Sequence, residues 1–213
     1  MGRTKERGKI IHQPSTPEIF DCISYMPTYS KLFLEHNPNK PYSVFLNGLI
    51  DNNFYNDRNE KITIKRIASD FKTDAAKVTK WLKEIYEQLF ELNRDKPELF
   101  RTNGVKVYLI IQNYDSYCYI YTSLPVLPRE FETIRFPFVK GKVGTDSFWV
   151  KKVEHEIVED SVEVIIWLEG GLLNKYREFA LDKALFQDKI HFMDVFNLQP
   201  YEIDKELKML YRN

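Results

Sequence analysis

Glycine is scarce in this chain, at 8 of 213 residues, about half its usual share. Little material is left for a loop that cradles phosphate, and no Walker loop, dinucleotide fingerprint or nucleophile elbow is present. Cysteine is rarer still. Cys22 and Cys118 have neither the partners nor the spacing of a zinc site or a disulfide framework. An excess of charge is also missing: 31 basic residues balance 31 acidic ones, so no global field draws the chain to nucleic acid or to a membrane. The longest apolar runs, 105–111 and 162–168, fall far short of the roughly 20 residues that cross a bilayer. The opening MGRTKERGK leads into no apolar stretch, so no secretory signal is expected. Glu6 stands where a myristoylation site needs Ser or Thr. These absences point to a cytoplasmic chain with no membrane partner, no metal and no cofactor. Whatever it binds through charge, it must bind through a local patch.

What is present suits a folded protein. A hydrophobic content of 43% with 29% charged residues is globular, and the length supports a core without staples. Residues 1–41 read as a basic arm (Arg3, Lys5, Arg7, Lys9) followed by a helical or looped segment with Pro27 inside it. In 42–54 the apolar residues Val44, Phe45, Leu46, Leu49 and Ile50 fall in helical rhythm. A short β-branched stretch, 61–64, runs into a helix over 65–71. A longer helix, capped by Thr73 or Asp74, continues to about Leu92. Two strand-like runs, 105–112 and 116–123, predict a β-hairpin. The proline-flanked 124–128 reads as a boundary. Beyond it, strands are expected over 131–139, 148–158, 162–169 and 176–181, and a closing amphipathic helix over 200–211 striped by Ile203, Leu207 and Leu210.

The sharpest feature is 63–86, TIKRIASDFKTDAAKVTKWLKEIY. Ala68 puts a small side chain where two helices would cross closely, and Val78, Trp81 and Ile85 form the stripe that the second helix buries. Its opposite face carries Thr73, Ala76, Lys77, Lys80 and Lys83, with no acidic residue until Glu84. From Arg58 to Lys83 eight basic residues stand against three acidic ones, whereas from Glu84 to Glu98 the acidic residues lead by five to two. Basic charge is thus confined to the part that would face phosphates.

In this order of elements, 42–123 resembles the winged helix-turn-helix DNA-binding family. The turn departs from the family pattern, with Lys72 where glycine is usual. The resemblance implies an α+β fold: an N-terminal winged-helix module over 42–123, then a small antiparallel β-rich domain over 124–213 with its closing C-terminal helix. It also implies a non-enzymatic protein that binds duplex DNA, a transcriptional regulator or a replication or mobile-element factor. DNA would be read by the helix starting near Asp74. Lys65, Arg66 and Lys72 would hold the backbone; Thr73, Ala76, Lys77 and Lys80 would face base edges, with Lys83 beside them. Operator recognition ordinarily takes a dimer, and the C-terminal domain, through its closing helix, is the candidate source of a homodimer.

The rival function is a protein–protein adaptor docking through the hairpin. Its second half is crowded with tyrosines, and Tyr117, Tyr119 and Tyr121 share one face for stacking on bases or on a partner. Gly141-Lys142-Val143-Gly144 has the spacing of an RNA-binding G-x-x-G loop, but flanking strands would make it a hairpin turn. Glu154, His155 and Glu156 alternate across a strand and make a weak metal set. His191 and Asp194 are a catalytic pair in name only. No catalytic residue is assigned.

Overall fold

The computed structural model describes residues 11–52, 62–159, 161–198 and 200–211. The chain is mixed α+β and divides into two compact units, Met1–Gly171 and Leu172–Asn213.

The first unit opens with helices α1 (Thr16–Ser24), α2 (Pro27–His36) and α3 (Ser43–Asp51). Ser15 caps α1, its Oγ accepting from the Glu18 amide at 3.4 Å. Pro27 does not break the segment; it begins α2 from the first turn, where its missing N–H is no loss. Then come α4 (Ile64–Asp70) and α5 (Ala75–Asp95), a 3-10 turn at Pro97–Phe100, and the hairpin β1 (Val105–Asn113) and β2 (Ser116–Leu124). The remainder is β3 (Thr133–Arg135), a 3-10 turn at Pro137–Val139, α6 (Lys140–Val143), β4 (Ser147–Val158) and β5 (Ser161–Gly170).

All five strands join one sheet in the order β2-β1-β5-β4-β3. β1 and β5 pair in parallel, Leu109 opposite Ile166, and the other pairs are antiparallel. The break expected at 124–128 therefore lies between two strands of one sheet. β4 and β5 complete the hairpin's sheet and do not found an antiparallel domain of their own. The residues beyond Gly171 are helical. The G-x-x-G segment is also not a hairpin turn. It is the short helix α6, closed by Gly144 in a left-handed conformation, and the strand expected over 131–139 shrinks to β3.

A single core binds helices to sheet. Ile23, Phe33, Leu46, Leu49, Ile67, Val78, Leu82, Ile85 and Leu89 from α1–α5 cluster with Val107, Leu109, Ile111, Ile120, Val164, Ile166 and Leu168 from one face of the sheet. Burying each such side chain contributes about 1.5–3 kcal/mol, so the hairpin is held as firmly as the helices. The contact is polar as well as apolar. Tyr86 of α5, 1% exposed, donates to the Phe138 carbonyl at 2.7 Å. Asn93 in the last turn of α5 clasps the backbone of Tyr121 on edge strand β2: its Nδ2 donates to the Tyr121 carbonyl at 2.7 Å and its Oδ1 accepts the Tyr121 N–H at 2.9 Å. That edge residue thus has the partners a neighbouring strand would supply.

The second unit comprises α7 (Lys175–Phe186), α8 (Phe192–Asn197) and α9 (Pro200–Leu210). Residues 176–181, expected as strand, lie inside α7. His191 and Asp194 cap α8: the Met193 amide donates to His191 Nδ1 and the His191 amide to the Asp194 carboxylate, each at 3.2 Å. The pair has a structural task. The unit's buried core is Ala180, Ala184, Ile190, Ile203 and Leu207. No helix among the described residues is long and apolar enough to cross a membrane.

Candidate nucleic-acid interface

The α4–α5 pair is built by local rules. Thr63 caps α4, its Oγ1 accepting from the Arg66 amide at 3.2 Å. Lys61 of the expected short strand lies outside the described residues, and Ile64 already begins a helix. At the far end the Lys72 amide donates to the Ser69 carbonyl at 3.1 Å and the Thr73 amide to the Ala68 carbonyl at 2.9 Å. This is a Schellman turn, which needs a left-handed residue after the helix and is usually given glycine. Here Lys72 adopts it with φ of 48°. The departure from the family pattern thus keeps the turn and stores about 1 kcal/mol of backbone strain. Asp74 then caps α5, its Oδ1 accepting from the Lys77 amide at 2.8 Å.

Ala68 is buried at the crossing, with Val78 and Leu82 opposite it on α5. Trp81, expected as a core anchor, is only half-buried; Leu82 takes that place. The indole lies at the rim, its centroid 5.2 Å from that of Phe45, with the Lys77 Nζ 4.7 Å above its ring. Phe45 in turn meets Phe71 edge-on at 5.0 Å. Gly48 of α3 makes room for that ring, since a Cβ there would stand 2.5 Å from Phe71 Cε1.

The outward side of the pair gathers most of the expected DNA-contacting residues. Lys65, Arg66, Lys72, Ala76, Lys77, Lys80 and Lys83 are exposed, and Thr73 is half-buried. Arg66 reaches Asp70 one turn on at 4.0 Å, a surface pair of small energy. Lys65, Lys72, Lys80 and Lys83 form no ion pair with a described residue. Cations in this state can exchange water for phosphate without first breaking a bond in the protein.

The tyrosines lie elsewhere, on the sheet face turned away from the helical core. Tyr117 and Tyr119 are 5.6 Å apart, Tyr119 stacks on Tyr108 at 5.9 Å, and Tyr108 stacks on Tyr121 at 4.5 Å. The Arg101 guanidinium closes the row 4.4 Å above Tyr121. Tyr108 and Trp167 share this face through the register Tyr108 with Tyr121 and Ile110 with Trp167. Tyr108 was accessible to sequence reasoning through the two-residue period of β1; Trp167 was not, because it arrives by the distant β5 pairing. The charges beside the row are mostly paired: Arg101 with Glu163 and Lys151 with Glu169 at 2.6 Å each, and Lys152 with Glu154. The hairpin is no free-standing wing, since β1 is an interior strand.

Burial pushes the Cys22 thiol up to about 11 against the pull of the Gly141 amide, and pushes Cys118 up to about 12. Both stay protonated and inward at neutral pH, unlike a nucleophile or a metal ligand. Among the described residues no three His, Cys, Asp or Glu side chains are grouped to hold a metal.

Comparison with protein families, with curated proteins and with solved structures finds no match for this chain.

Proposed function

We propose that the chain is a non-enzymatic duplex-DNA-binding protein of the helix-turn-helix kind, a transcriptional regulator or a replication or mobile-element factor working in the cytoplasm. The observation that carries this reading is the outward face of α4 and of the first turns of α5. It holds six cations, Lys65, Arg66, Lys72, Lys77, Lys80 and Lys83, on two crossing helices joined by a tight turn. Lys65, Arg66 and Lys72 sit on the leading helix and the turn, where a major-groove helix needs backbone clamps. Thr73, Ala76, Lys77 and Lys80 occupy the front of α5, the part that meets base edges. Two reduced, buried thiols suit a reducing compartment.

The experiment is binding of a random-sequence duplex to the wild type and to Lys77→Glu/Lys80→Glu. Both side chains face water, so the double reversal leaves the fold intact while placing two carboxylates against phosphates. Loss of binding supports the reading, and unchanged affinity removes α5 from it.

A second reading, a protein–protein adaptor, is favoured by the tyrosine row. Tyr117 and Tyr119 are 64% and 47% exposed, and paired charges beside them offer phosphate little attraction. An aromatic interface of that kind holds as salt rises.

A further inference from the structure

The second unit buries little for its size. Of its five core residues two are alanines, and helical units this small usually need outside support. Meanwhile large apolar side chains stand in water. Tyr176, Phe179 and Phe186 of α7 are 70%, 64% and 89% exposed, and Leu172 just before the helix is 98% exposed. These are not scattered. Leu172, Tyr176, Phe179, Lys183 and Phe186 follow one another by four, three, four and three residues, the alternation of a coiled-coil seam. The seam lies on the side of α7 away from Ala180 and Ala184, which pack with Ile203 and Leu207 of α9.

We propose that this seam is a homodimer interface, on which α7 of a second copy of the chain packs antiparallel. The pattern is self-complementary in that direction. At full overlap Tyr176 meets the partner's Phe186, and Phe179 meets the partner's Lys183, with each layer made twice about a two-fold axis. Parallel pairing would set Lys183 against its own copy, two like charges in an apolar seam. Antiparallel pairing gives each ammonium an aromatic ring. Lys183 already sits in such company, 5.0 Å from the centroid of Tyr211.

The area is sufficient. At the exposures above, the three rings alone offer roughly 450 Å² per copy. Two copies therefore bury about 900 Å² before Leu172 and flanking residues are added, close to the ~1,200 Å² of the smaller specific interfaces. The proposal adds the contact surface and its orientation to the homodimer expected from the C-terminal region, and it stands whether or not α5 reads DNA.

The test is sedimentation equilibrium of the full chain without DNA, comparing wild type with Phe179→Glu/Phe186→Glu. The wild type is expected at twice the 25.4 kDa chain mass. The variant is expected at the monomer mass, with self-association weakened at least ~100-fold and unchanged far-UV circular dichroism. A wild type that stays monomeric at ~100 μM, as when α7 is covered within its own chain, overturns the proposal, and so does a variant that remains dimeric. Should the variant lose helix, oxidation of a Tyr176→Cys/Phe186→Cys chain decides. Those positions lie about 15 Å apart along one helix, so they link only between copies, and Cys22 and Cys118 are buried. Covalent dimers are expected there and not from Phe179→Cys alone; the reverse result refutes the antiparallel seam.

Discussion

Replacing Asn93 by alanine probes how α5 is fastened to the sheet. Asn93 is 2% exposed and spends both ends of its amide on the backbone of Tyr121, at 2.7 and 2.9 Å. Two hydrogen bonds of about 1 kcal/mol each are lost. Leaving the Tyr121 N–H and C=O unpaired adds about 1–3 kcal/mol per group where water is excluded. Tyr121 is on an edge strand and half-buried, so water recovers part of that penalty. The expected loss is about 3 kcal/mol, or roughly 6–12 °C in Tm for a unit of this size. Urea unfolding followed by circular dichroism measures it. Asn93→Asp sharpens the test. Its carboxylate can still accept the Tyr121 N–H, but its second oxygen faces the Tyr121 carbonyl with no proton to offer. That burial favours the protonated acid in the folded state and raises its folded pKa. The variant's stability is therefore greatest at low pH and falls as pH rises through that value. A loss under 0.5 kcal/mol in Asn93→Ala, or an Asn93→Asp chain indifferent to pH, refutes the clasp.

Two further outcomes follow from the local geometry. Lys72→Gly relieves left-handed strain of about 1 kcal/mol, partly offset by the greater freedom of glycine in the unfolded chain. Stability should rise by about 0.5 kcal/mol while duplex affinity falls several-fold through the lost cation, read by urea midpoint and binding isotherm. Cys22 and Cys118, with folded pKa values near 11 and 12 against an ordinary 9, should not react with a thiol reagent at pH 8 until the protein unfolds. Because the unfolded thiols release protons first, stability should fall as pH climbs from 9 towards 12; a flat profile over that window contradicts their burial.

The helices of the candidate site were legible because their signals are local. Ala68, the Asp74 cap and the Val78–Ile85 spacing all lie within one segment, and the hairpin announces itself by alternation. Lys72 was visible as an anomaly, though only the structure shows that it keeps the left-handed turn. The parallel register of Val107 with Val164 joins residues far apart in sequence, and no local pattern encodes it. Hence the prolines near 124–128 passed for a domain boundary. α7 passed for a strand because its buried stripe is made of Ala180 and Ala184, while its large apolar residues point outward. Trp81 passed for a core residue because helical phase alone does not say where the neighbouring helix ends.

The most direct test of the central claim is the salt dependence of wild-type binding to a random-sequence duplex. If four or five of the six cations meet phosphates, log Kd changes with log salt at a slope of about 4. Affinity then drops a few hundred-fold between about 50 and 200 mM salt. The Lys77→Glu/Lys80→Glu chain should show no binding at either salt. A slope near zero, or equal affinity in the two proteins, contradicts the account of α4 and α5 as a reader of DNA.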